Sequence, residues 1–156
     1  MNIRKAGKKD IPAIMDLLSQ VLEIHASVRP DIFRSGTTKY SRDDLVQMFA
    51  DDSRPVYVAT DEKDNVLGYA FCIVRDLRSV STMHPHLSMF IDDLCVNERA
   101  RGMHIGETLF NHVKQQAKAL GCRDITLNVW EGNDGARHFY DKMGMKVRET
   151  NMEIML

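Results

Sequence analysis

Neither sign of charge is in excess in this chain. Lys and Arg number 21 against 22 Asp and Glu, a net charge of −1. Binding driven by nucleic-acid phosphates needs clustered cations, so no nucleic-acid partner is expected. No apolar run approaches membrane-spanning length, so no membrane partner is expected either. The opening residues, Met1-Asn2-Ile3-Arg4-Lys5, lead into a polar segment and do not resemble a secretory signal. Cysteine is scarce and odd in number. Cys72, Cys95 and Cys122 sit in apolar stretches, which favours buried reduced thiols and a cytoplasmic protein. No pair of Cys or His falls at zinc-finger spacing, and no metal is expected. Repeats, low-complexity tracts and linkers are also missing. What remains is an ordinary globular composition over 156 residues, enough for one core and one domain spanning residues 1–156.

Periodicity divides the chain into elements. Asn2 to Ala6 reads as a strand. Asp10 can cap a helix with Pro12 in its first turn, and Ile11, Ile14, Leu18, Val21 and Ile24 mark its apolar face. Residues His25 to Ser41 show no period. Ser41 with Asp44 three residues on is a capping-box start for a second helix. Val56 to Ala59 and Val66 to Val74 form a hairpin across a polar turn. Met89 to Val96 is a further strand. Leu109, Val113, Ala117 and Leu120 recur at helical spacing until Gly121. Asp124 to Trp130 reads as a strand, Asn133 or Asp134 starts a short helix reaching Lys142, and Met145 to Leu156 reads as a last strand. The order β-α-α-β-β-β-α-β-α-β implies a mixed α/β sheet with helices on both faces.

The most informative stretch joins the strand Met89–Val96 to the following helix. Arg101-Gly102-Met103-His104-Ile105-Gly106 is a short Arg/Gly turn at a helix N-terminus. Free backbone N–H groups, the positive end of the helix dipole and the Arg101 guanidinium suit it to a pyrophosphate. It has neither the Lys-Ser/Thr ending of a P-loop nor the glycine spacing of a dinucleotide fold. An anion nest survives at His104 if its φ is helical. Asp92 and Asp93 are the second unusual feature, two acids inside an apolar strand. Neighbouring strand residues point to opposite faces, so only one faces a given pocket unless a bulge intervenes.

The Arg/Gly turn resembles the acetyl-CoA loop of the GNAT N-acetyltransferase superfamily, with the pattern Arg/Gln-x-x-Gly-x-Gly/Ala. Arg101 and Gly106 fit it, and His104 stands where the family usually has glycine. Residues Asn128 to Tyr140 followed by Met143-Gly144-Met145 resemble the second signature of that family, with Met145 in place of its Phe. Two spaced motifs in the right order of elements are more specific than either alone. The resemblance implies a mostly antiparallel sheet of six to seven strands. It also implies direct transfer of the acetyl group of acetyl-CoA to an amine, and a possible homodimer.

The same resemblance assigns roles. Tyr140 would protonate the departing thiolate, although ordinary packing on a helix also explains a tyrosine there. The phrase Ile91-Asp92-Asp93-Leu94-Cys95-Val96 is similar to one in spermidine/spermine acetyltransferases. On that likeness Asp92 is the base or an anchor for a substrate ammonium, Asp93 is a substrate-side acid, and the acceptor is a small cationic primary amine. A protein N-terminus or lysine is the alternative acceptor, and a non-catalytic CoA-binding or interaction module is the alternative class. Leu94, Cys95 and Val96 would hold the pantetheine arm through their backbone, with one N–H facing the oxyanion. Arg101 to Gly106, Asn128, Asn133 and Ala136 complete the cofactor side, though Asn133 reads equally well as a helix cap. Phe33, Tyr40 and Tyr69 could line the acceptor pocket, and packing explains them as well.

Overall fold

The computed structural model describes all 156 residues. One sheet runs through it in the order β1 (Asn2–Lys5), β2 (Val56–Thr60), β3 (Val66–Asp76), β4 (Leu87–Val96) and β5 (Cys122–Leu127). Pairing is antiparallel from β1 to β4, and β4 pairs β5 in parallel. Alternation along the strands splits the core in two. Val56, Val58, Tyr69 and Phe71 pack under α1 (Ile11–Val28) and α2 (Arg42–Phe49). Tyr57, Ala59, Ala70 and Cys72 pack under α3 (Ile105–Ala119), with Phe139 and Tyr140 of α4 (Asp134–Lys142) and Met143 just past it at the margin. Leu18 and Leu109 are wholly buried on the two sides. Each such side chain contributes about 1.5–3 kcal/mol of hydrophobic stabilisation.

The expected helices on both faces are present, and Ser41 and Asp44 form the capping box read for α2. Several expectations need correction. The sheet has five strands, not six to seven. Residues 145–156 form no strand, and no backbone hydrogen bond of the chain lies beyond the one from Met145 N–H to the Tyr140 carbonyl. Their alternating pattern is that of a strand, but a strand exists only where its backbone finds a partner edge. Strand β5 begins and ends earlier than expected. The inner face of α1 is Ile14, Leu17, Leu18, Leu22 and Ala26, so Val21 and Ile24 lie at its flank. Asp10 precedes that helix without capping it. Its buried carboxylate takes both Arg4 nitrogens at 2.8 and 2.9 Å and the Gly7 N–H at 2.8 Å. Residues Lys8–Val28 are, by length and composition, enough to cross a membrane, contrary to the hydropathy reading. In this fold the inner face of that helix is packed on the sheet.

Candidate active site

The sheet opens where the sequence places its chemistry. Strand β5 pairs with β4 only from Leu87 to Ile91, so Asp92 to Val96 have no neighbour on that side. That leaves a length of strand edge beside Leu94, Cys95 and Val96 whose peptide groups are available to a ligand arm. Gly68 permits this part of β4 to lie close to β3. A Cβ there would stand 2.7 Å from the Cys95 carbonyl oxygen.

Past Val96 the chain turns sharply into α3. Gly102 and His104 both take left-handed backbone angles, with φ of 80° and 57°. The condition read from the sequence, a helical φ at His104, is therefore not met; the residue occupies the region that a glycine would enter freely. For a residue with a Cβ that costs about 1–2 kcal/mol. The first backbone bond into the helix runs from Thr108 N–H to the His104 carbonyl. The amides of Ile105, Gly106 and Glu107 thus open α3 without helical acceptors. The His104 ring turns outward, 74% exposed, with Nδ1 at 3.2 Å from Glu107. An open groove of about 300 Å³ lies against this turn, lined by Val96, Arg101, Gly106, Phe139 and Lys142 among others. Arg101, the helix N-terminus and an apolar wall fit a diphosphate carrying an organic arm, and Lys142 adds a second cation 3.9 Å from the Glu107 carboxylate that also lines the groove. Lys142 was not singled out from the sequence, because it ends a helix whose only marked positions were Ala136, Phe139 and Tyr140.

The paired acids are not split between opposite environments. Phe71 pairs with Asp93 and Cys72 with Ile91, so Asp92 is the extra residue of a β-bulge. Both carboxylates meet tyrosines that pack on Phe71. Tyr40 donates to Asp92 at 2.5 Å and Tyr69 donates to Asp93 at 2.8 Å. Lys39 places its ammonium 2.9 Å from the Asp92 carboxylate and 3.2 Å from the Asp92 carbonyl oxygen. Burial raises the Asp93 carboxyl to about 6; the Tyr69 hydrogen bond and the Lys39 charge pull it down. Burial, then the Asp92 hydrogen bond, raises the Tyr40 phenol above its ordinary value.

Tyr140 comes from α4 and packs on Phe139 and Phe110. Burial raises its phenol above the ordinary value, and the Asp93 and Cys72 charges raise it further. It is therefore held in its protonated form at neutral pH. Cys95 lies on β4 with its thiol pushed up to about 12, chiefly by burial, so it is not a ready nucleophile. Cys72 behaves likewise, and Cys122 is only half-buried.

Other sequence candidates fall in mixed positions. Asn133 caps α4, accepting from Ala136 N–H at 3.2 Å, and Asn128 and Met103 are exposed. Phe33 sits between His25 and Trp130 rather than beside the acids. Tyr40 does reach them. Lys39 escaped notice in the sequence because its loop carries no periodicity, and only the folded loop brings it to Asp92.

Comparison with known proteins agrees with this geometry. The profile of the acetyltransferase (GNAT) family matches residues 18–145. The peptidyl-lysine N-acetyltransferase YjaB of Escherichia coli (strain K12) is 30% identical over 74% of this chain and 65% of its own. YwnH of Bacillus subtilis (strain 168), provisionally named a phosphinothricin acetyltransferase, is 23% identical over 92% of this chain and 83% of its own. The crystal structure of a mutant of the BH1408 protein from Bacillus halodurans superposes with a TM-score of 0.94. It is 31% identical, covering 100% of this chain and 99% of that one. The profile match spans most of the chain and both signature segments, so the chain belongs to the acetyltransferase (GNAT) family and is an acetyl-CoA-dependent N-acetyltransferase.

Proposed function

We propose that the acceptor is a cationic primary amine with a second basic nitrogen, which Asp92 and Tyr40 anchor as an ammonium while Asp93 relieves the reacting amine of its proton. The observation that supports this reading is Lys39. Its primary ammonium already rests on Asp92, 5.6 Å from the centre of the Tyr40 ring. An acceptor ammonium would use the same carboxylate and aromatic face. Asp93 suits the role of proton acceptor because a group near 6 is largely ionised at neutral pH yet basic enough to work.

Transfer then needs little else. The neutral amine attacks the thioester carbonyl, and a free amide of the β4 segment Leu94–Val96 faces the developing oxyanion. The C–S bond breaks, Tyr140 delivers a proton to the departing thiolate, and the proton that the attacking nitrogen sheds as the amide forms restores the Tyr140 phenol. Arg101, Lys142 and the amides opening α3 hold the diphosphate. Acetyl-CoA itself supplies the activated acetyl group.

The finer likeness to polyamine acetyltransferases rests on the Asp92-Asp93 phrase and stays part of this proposal. A second reading has its own support. The ammonium on Asp92 is a protein lysine, and the relative YjaB is named for peptidyl-lysine transfer. One experiment separates the two: mass-spectrometric detection of acetylated products from a panel of diamines, polyamines, neutral-tailed amines and lysine peptides. Acetylated di- and polyamines, abolished in Asp92→Asn, are expected. Turnover confined to peptides supports the second reading. Preference for neutral-tailed amines refutes the anchoring role of Asp92.

A further inference from the structure

We propose that Lys39 is a tethered competitor for the second nitrogen of the acceptor and so sets how strongly di- and polyamines are preferred; the inference rests on Asp92 being the anchor for that nitrogen. Both oxygens of the Asp92 carboxylate are already engaged. One accepts from the Tyr40 hydroxyl at 2.5 Å, and the other lies 2.9 Å from the Lys39 ammonium. The same ammonium donates to the Asp92 carbonyl oxygen at 3.2 Å and lies 5.6 Å from the centre of the Tyr40 ring. An incoming ammonium therefore finds the carboxylate neutralised and the place beside the ring filled.

The loop holds Lys39 by its flanks and leaves the side chain able to withdraw. Glu23 of α1 accepts from the Ser35 hydroxyl at 2.6 Å and from the Gly36 N–H at 2.7 Å. The Thr38 hydroxyl donates to the Tyr40 carbonyl at 3.0 Å, and the Tyr40 ring stacks on Phe71. The ammonium is thus delivered to Asp92 at a high local concentration. Its hold is nevertheless light. The Lys39 side chain is 43% exposed, and Asp92 is the one acid it pairs with. Withdrawal into water returns rotamer freedom to the stem, so the exchange costs little. No second cation stands in for it. Arg54 faces the Tyr40 ring at 6.0 Å and pairs with neither acid.

Competition of this kind acts on one class of acceptor. An amine with a neutral tail has no use for Asp92 and binds with Lys39 in place. An amine with a second ammonium displaces Lys39 and takes over its contacts. It also takes over the positive charge that Lys39 presents to Asp93. Lys39 therefore lowers the advantage that a second charge gives, and it does so in binding rather than in the chemical step.

Calorimetric titration of diaminobutane and of butylamine into the CoA-loaded full chain tests this. Lys39→Met keeps an unbranched stem and removes the charge. It should tighten diaminobutane binding about 2–5-fold relative to butylamine. Lys39→Arg restores the charge and should bind diaminobutane no more tightly than the parent. In an Asp92→Asn background the gain from Lys39→Met should vanish. Diaminobutane affinity that is unchanged or weaker in Lys39→Met overturns the proposal, as does an equal gain for butylamine or a gain that persists in Asp92→Asn. The two readings fail separately. Diaminobutane binding that is absent, or untouched by Asp92→Asn alone, refutes the anchor and this inference with it. Binding weakened by Asp92→Asn but not tightened by Lys39→Met refutes only the competitor.

Discussion

Residues 1–117 and residues 118–156 are built differently, although the active site draws on both. The first region contains every buried residue, including Asp10, Tyr69 and Leu109. It holds the acids of β4 and the amides opening α3 on a packed sheet. The second region contributes Tyr140 from a helix with no buried residue. In the proposed reaction, positioning of acceptor and diphosphate draws on the core, while proton delivery draws on Tyr140, whose ring is covered although the helix that carries it has no fully buried residue. Mutations should accordingly separate stability from turnover along this boundary.

The largest effect expected is on turnover. Tyr140→Phe should lower the rate of CoA-thiol release by about 10²–10⁴-fold while changing unfolding free energy by less than about 0.5 kcal/mol. A large loss of stability would erase the contrast. Asp93→Asn probes the other side of the boundary. In the parent protein the rate should rise with pH through about 6 as this carboxyl ionises, and the variant should lose that rise. The stability consequence has the opposite sign. Because burial raises the folded-state value from 3.8 to about 6, the folded form binds this proton more tightly than the unfolded form. Its stabilising contribution is complete below about pH 4 and declines as pH rises through about 6. Denaturant titrations across that window should show the decline in the parent and not in Asp93→Asn.

Two glycines sharpen the comparison at lower cost. Gly68→Ala forces a methyl to 2.7 Å from a β4 carbonyl and should destabilise by about 1–3 kcal/mol. Gly135→Ala in α4 meets nothing within 4 Å and should gain up to about 1 kcal/mol. Thermal unfolding of the pair would show whether the two regions respond as differently as their packing implies. The smallest effect is His104→Gly. Releasing the left-handed strain should stabilise by up to about 1 kcal/mol, with the affinity for CoA kept because the imidazole already points outward.

Much of the first region is legible in the sequence for simple reasons. The capping box at Ser41 and Asp44 is a local hydrogen-bond pattern, and a strand passing into α3 through Arg101 and Gly106 is a local turn. The bulge at Asp92 is not local. It depends on how β4 registers against β3, so the sequence leaves open whether the two acids share a side. The same holds for Lys39, whose loop has no periodicity and whose partner lies 53 residues away. Residues 145–156 illustrate the reverse problem. Their pattern identifies a segment able to be a strand, yet its backbone forms no ladder with the free edge of β5 in the folded chain.

By itself the sequence determined the elements that local chemistry controls: helix starts, apolar faces and the glycine-bearing turn, while Tyr140 became a candidate proton donor through resemblance to the family. Tertiary structure alone decided which of those groups meet. Register brought both acids against one pair of tyrosines, and the divergence of β4 from β5 opened the strand edge. A backbone group can prefer a conformation alone, but it can acquire a partner only when distant parts of the chain are fixed together.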